Sequence, residues 1–172
     1  MDRNIKICSW NIGGAQDKLN NDSVLRFLHE YDIVWILEVK HIATTRIPGF
    51  IVYHNASRHG SHRRGVMLLV KYEIKKYLLS VKLDFDSQIW LELSFYPNIY
   101  IGGIYDPPET SPYSDPTIMA NLSTLLNENR KIIVLGDFNG RVAKPVISDK
   151  EGYVYEYINT VDSRQNNQGK KR

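Results

Sequence analysis

IIVLGDFNGRV, residues 132–142, ends an apolar run in an acid, an aromatic, an amide and a glycine. A buried strand that merely turned would more often stop at Gly, Pro or Ser. Asp137 and Asn139 stand two residues apart, so in extended chain they point to the same side. The stretch reads as a strand that delivers two polar groups to one place.

The same form recurs along the chain. Residues 4–12, NIKICSWNI, read as a strand ending at Asn11 before a Gly-Gly turn. Residues 32–39, DIVWILEV, are a nearly continuous apolar run, a strand buried on both faces that carries Glu38 near its end. Residues 98–105, NIYIGGIY, stop at Tyr105 before Asp106-Pro107-Pro108. FIVYH (50–54) and GVMLLVK (65–71) are two further strands, and QIWLELSF (88–95) alternates with Ile89, Leu91, Leu93 and Phe95 on one side.

Two segments have helical periodicity. NDSVLRFLHEY (21–31) offers Asn21, Asp22 and Ser23 as caps and an apolar face of Val24, Leu25, Leu28 and Tyr31. SDPTIMANLSTLLNEN (114–129) has Asp115 as cap, Pro116 in its first turn, and Ile118, Leu122, Leu125 and Leu126 on one face. YVYEY (153–157) reads as a short edge strand. The pattern predicts an α/β domain, with sheets covered by helices.

At 172 residues the chain is expected to be one domain, residues 1–172, with a substantial core. No apolar run approaches the roughly 20 residues of a membrane-spanning helix. The first ten residues lack a signal-peptide core, and the lone Cys8 has no internal disulfide partner, so an intracellular setting and a buried structural thiol are expected. Net charge is +3, but its distribution is uneven: residues 57–65, SRHGSHRRG, hold three arginines, two histidines and no acid. Such a run is either a solvated loop or a contact for a polyanion.

If the strands share one direction, Asn11, Glu38, Tyr105, Asp137 and Asn139 gather along one rim. Glu38 is costly to leave unpaired beside its apolar neighbours, so it should meet a cation or strong donors. Carboxylates with amides and a phenol favour a hard, oxygen-seeking ion, and Mg²⁺ takes one or two protein carboxylates. Asp137 could orient or deprotonate a water for in-line attack, while Asn139 and Tyr105 could donate to a phosphate. Each residue also has an ordinary reading: Asn11 in a turn, Glu38 in a salt bridge, Tyr105 in packing, Asp137 and Asn139 capping a turn.

SWNIGG, LEVK, GGIYDPP and VLGDFNGRV, in that order, resemble the motif series of the endonuclease/exonuclease/phosphatase superfamily. The likeness is to its apurinic-site endonuclease-like branch, and within it to the endonuclease domain of non-LTR retrotransposon polyproteins. The resemblance implies a four-layer αββα sandwich (DNase I-like). It implies metal binding by Glu38 with Asn11, and a catalytic group of Asn11, Tyr105, Asp137 and Asn139. It also implies Mg²⁺ (Mn²⁺ as a substitute) as cofactor, no organic cofactor and no membrane. The implied partners are DNA, held at its phosphates by Arg58, Arg63, Arg64 and Arg141, and a reverse transcriptase domain in the same polyprotein. The implied activity is nicking of target DNA for integration, in the nucleus.

Two departures stand out. Leu37 occupies the position where the family usually has Gln, before the glutamate. The family's closing Ser-Asp-His motif is absent from the sequence, which predicts a domain incomplete at its C-terminal end. His29, His41, His54, His59 and His62 do not restore it. Two rival readings follow: a catalytically incomplete fragment that binds DNA or a partner without cutting, and a phosphodiesterase of lipid headgroups.

Overall fold

A computed structural model describes residues 4–15, 18–39, 46–55, 65–83, 87–108, 111, 114–127 and 131–139. All fall within residues 1–139, one of two units into which the chain divides. The expected edge strand at 153–157 belongs to the other unit, outside the described residues.

One sheet contains β1 (Ile7–Asn11), β2 (Ile33–Val39), β3 (Phe50–Asn55) and β4 (Gly65–Lys71), in the order β1-β2-β4-β3. The second contains β5 (Leu78–Lys82), β6 (Gln88–Leu93), β7 (Ile99–Tyr105) and β8 (Lys131–Asp137), in chain order. In each sheet the pair at one edge is parallel: β1 with β2, and β7 with β8. Strand β5 has no counterpart in the sequence reading. Its LLSVK places apolar residues on both faces, and Leu79 is exposed, so it lacks the alternation that marks a half-buried strand.

Between the sheets, Ile33, Trp35 and Leu37 of β2 and Val66, Leu68 and Val70 of β4 meet Ile89, Leu91 and Leu93 of β6. Their alternates Val34, Ile36, Met67 and Leu69 pack on the other face with Leu28 of α1 (Asp22–Leu28). On the far side of the second sheet, Trp90, Tyr100 and Ile104 receive Ile118 and Leu125 of α2 (Thr117–Asn127). The order helix, sheet, sheet, helix is the expected four-layer sandwich, and it explains why β2 reads as unbroken apolar sequence: both its faces are covered.

The caps form as the sequence suggests. Asn21 accepts from the Ser23 N–H at 2.9 Å, and Asp115 accepts from the Thr117 N–H at 3.0 Å. Helix α1 stops at Leu28, so Tyr31 lies beyond it, although its ring still meets Phe27 edge-on. The Leu126 side chain is outside the described residues. Phe95 differs from expectation. β6 ends at Leu93, and the chain then folds back with the Tyr96 N–H bonded to the Leu93 carbonyl. Phe95 is therefore 36% exposed and stacks on Tyr77 rather than entering the core.

Paired glycines in β7 make room for two tryptophans. A Cβ on Gly103 would lie 1.8 Å from Cδ1 of Trp35, and one on Gly102 would lie 2.3 Å from Cε3 of Trp90. Trp35 then donates its indole N–H to the Ile89 carbonyl at 3.0 Å, across the two sheets. Cys8 is half-buried against the cluster under α1, and burial pushes its thiol pKa up, in keeping with a packing role.

Gly103→Ala should destabilise the fold by about 1–3 kcal/mol through overpacking. Urea denaturation checks this, and an unchanged midpoint would refute the packing described. His54 gives a pH effect. Its Nε2 is buried without a hydrogen-bond partner among the described residues, and burial lowers its pKa from the ordinary value. The unfolded chain therefore binds the proton more readily, so stability is full above about pH 6.5 and declines as pH falls below it. Thermal melts of His54→Leu should show a flatter acid limb than those of the parent protein.

Candidate active site

Strand β1 lies across from β8, and β2 lies across from β7 and β8. Because the two edge pairs are parallel, Asn11, Glu38, Tyr105 and Asp137 all come at or near the C-terminal ends of their strands. The shared direction that the sequence leaves open is therefore present, and the rim is built from both sheets.

Among the described residues, two hydrogen bonds between side chains cross from one sheet to the other. Asn11 Nδ2 donates to Asp137 Oδ2 at 2.7 Å. Tyr105, 6% exposed and part of the inter-sheet core, donates its hydroxyl to Glu38 Oε1 at 2.5 Å. A short bond of this kind to a carboxylate contributes about 1.5–3 kcal/mol. Glu38 has thus met a strong donor, as its apolar flanks require.

Glu38 reaches the rim because β2 is irregular there. Its φ is +54°, and the pairing with β4 shifts register between Ile36 and Val39. Leu37 still faces the inter-sheet core, but Val39 joins the cluster under α1, so alternation changes phase across Glu38. The following turn is bonded to the same place: the Gly14 N–H donates to the Glu38 carbonyl at 3.0 Å. Gly13, at φ +59°, donates its N–H to Asn11 Oδ1 at 2.9 Å, which holds the Asn11 amide in the orientation that faces Asp137.

Asp137 accepts a second bond, from the Asn139 N–H to Oδ1 at 3.0 Å. Asn139 itself lies past the strand at φ +46°, so the two-residue periodicity of an extended chain does not apply to it. A turn, rather than a shared strand face, brings it to Asp137. Its Nδ2 donates to the Asp106 carbonyl at 2.8 Å, and the Asp106 N–H donates to the Asp137 carbonyl at 2.9 Å, locking the two strand exits together.

Arg58, Arg63, Arg64, Arg141, His41, His59 and His62 lie outside the described residues. His29 caps the end of α1 and is exposed, with its ring against Phe50. His54 has the strand parity of Phe50 and Val52, which pack under α1. Lys18, absent from the sequence reading, donates from Nζ to the Ile12 carbonyl beside the rim. No spacing signal marks it, because it lies in a short 3-10 turn, Lys18–Asn20.

The motif order now has a fold and a site beneath it, and the family model for endonuclease/exonuclease/phosphatase proteins matches residues 8–153. The chain belongs to the endonuclease/exonuclease/phosphatase family. Among curated proteins, none matches the sequence. Among solved structures, the fold is similar to an AP endonuclease from Archaeoglobus fulgidus, with 19% identity, a TM-score of 0.56, and coverage of 79% of this chain and 58% of that one. It is similar to the catalytic domain of Xenopus laevis APE2, with 18% identity, a TM-score of 0.55, and coverage of 79% and 59%. A functionally unknown conserved protein from Enterococcus faecalis V583 is similar at 13% identity and a TM-score of 0.50, covering 79% and 67%. At these identities the likeness is one of fold, and the chain spans less than two thirds of the first two structures.

Among the described residues, no three of His, Cys, Asp and Glu gather as a metal cage. The rim offers oxygen donors instead, and Glu38 Oε2 has no hydrogen bond among the described residues. That donor set fits a hard ion that retains much of its water.

The Asn11–Asp137 bond predicts energetic coupling. Asn11→Ala and Asp137→Ala should be non-additive in a double-mutant cycle on urea stability, with a coupling of about 0.5–3 kcal/mol. Strict additivity would mean that the two side chains do not hold the sheets together.

Proposed function

We propose that this protein is a metal-dependent phosphodiesterase that nicks DNA, acting as the endonuclease domain of a non-LTR retrotransposon. The observation that carries this reading is the rim itself: two carboxylates at the ends of their strands, each held by a donor from the opposite sheet. Family membership and the similarity to two apurinic-endonuclease folds support it.

Asp137 is the base or water-orienting group. Its two oxygens are fixed by the Asn11 amide and by the Asn139 N–H, and each oxygen retains a lone pair for a water. Asn139 keeps a second amide N–H beyond the one given to Asp106, and Tyr105 places a phenol at the same rim. The free Asn139 N–H would donate to the phosphate as charge develops, and Tyr105 would do so on leaving Glu38, since its single O–H is donated there. Glu38 and Asn11 would hold Mg²⁺ or Mn²⁺, which when bound supplies Lewis-acid polarisation of a phosphoryl oxygen. Arg58, Arg63, Arg64 and Arg141 are assigned to the DNA backbone, where contacts position without reading sequence. A reverse transcriptase domain in the same polyprotein would use the nick as a primer, in the nucleus.

Nicking of supercoiled plasmid, with Mg²⁺ and with EDTA, tests this. The expected result is metal-dependent nicking that Asp137→Ala lowers at least about 10²-fold. Folded protein that binds DNA but cuts no faster than the variant would make the chain catalytically incomplete. Hydrolysis of a phosphoinositide headgroup without DNA cleavage would move it to a lipid substrate.

A further inference from the structure

Gly13 is exposed at the edge of the rim, and a Cβ there would fill the space between two side chains at ordinary van der Waals contact. The atoms bounding that point are Glu38 Oε2 and Lys18 Nζ, each 3.8 Å away. The glycine thus leaves a notch with a carboxylate oxygen on one wall and an ammonium on the other.

Lys18 is held in this position from several sides. Leu19 beside it is buried in the cluster under α1, with its N–H bonded to the Ala15 carbonyl at 3.0 Å. The Lys18 carbonyl accepts from the Asn21 N–H at 3.1 Å. Its ammonium donates to the Ile12 carbonyl, and the Ile12 N–H is itself bonded to the Leu37 carbonyl at 3.2 Å, next to Glu38. A lysine folded back in this way gives up rotamer freedom that an ordinary surface lysine keeps. Of its three donors, one goes to Ile12, and no carboxylate pairs with it among the described residues.

We infer that Lys18 and the Gly13 notch form an anion subsite that takes a phosphoryl oxygen of the substrate beside Glu38. The inference rests on the phosphodiesterase reading and adds a residue to it. An ammonium with two unused donors recognises a phosphate oxygen as a point charge, and the missing Cβ lets that oxygen approach the backbone. Lys18 is the one cation among the described residues bonded to the turn that carries Asn11 and Gly13.

The test uses the full chain with ¹³C-labelled lysine ε-carbons, titrated with inorganic phosphate, and Lys18→Met to identify the Lys18 signal. The Lys18 signal should shift and saturate. In plasmid nicking, Lys18→Met should lose about tenfold in kcat/KM with unchanged thermal unfolding, and Lys18→Arg should recover most of it. A Lys18 signal that phosphate does not move overturns the subsite, and so does unchanged kcat/KM in Lys18→Met. A chain that binds phosphate through Lys18 yet cleaves no phosphodiester defeats the nuclease reading and leaves the subsite standing. A chain that cuts DNA equally well without the lysine does the reverse.

Discussion

The amide of Asn11 and the carboxylate of Asp137 come from strands 126 positions apart, in different sheets, and their contact depends on the docking of those sheets. Tyr105 and Glu38, 67 positions apart, repeat the arrangement one strand further in. The candidate site is therefore a property of the sandwich and not of either sheet. Anything that separates the layers separates the two carboxylates from their donors. Contacts of such sequence separation close late and slowly in folding, so the rim should be among the last features to form.

Glu38 shows how the fold places a charge beside an apolar core. A regular strand would have pointed it under α1, with Val34 and Ile36. The left-handed backbone at Glu38 turns it out to the rim instead, at a cost of about 1–3 kcal/mol for a residue other than glycine. The Tyr105 hydroxyl and the Gly14 N–H, both bonded to Glu38, offset that strain. The tyrosine belongs at once to the inter-sheet core and to the rim.

Much of this was legible from the sequence where pattern and burial coincide. DIVWILEV reads as doubly buried because it is, and the caps at Asn21 and Asp115 form as written. Strand β5 was not legible: an edge strand that leaves Leu79 in water carries little patterning. Phe95 misled because alternation continued for two residues into a turn. At the site, the residue types and their strand-end positions were readable, but the direction shared by the strands was not, since parallel pairing is a tertiary fact. Asn139 lies beside Asp137, but a turn and not a strand face brings it there. Lys18 left no trace, because a short 3-10 turn and a bond to the Ile12 carbonyl position it, and neither carries a periodic pattern.

The chain has three tryptophans, and the layers separate them. Trp35 lies between the sheets, Trp90 between the second sheet and α2, and Trp10 is half-buried in the cluster under α1, edge-on to Phe27. Each boundary of the sandwich thus carries its own intrinsic chromophore. Variants that keep one indole at a time would resolve the fluorescence of this protein into three local signals, so that the order in which helix meets sheet and sheet meets sheet becomes an optical observable.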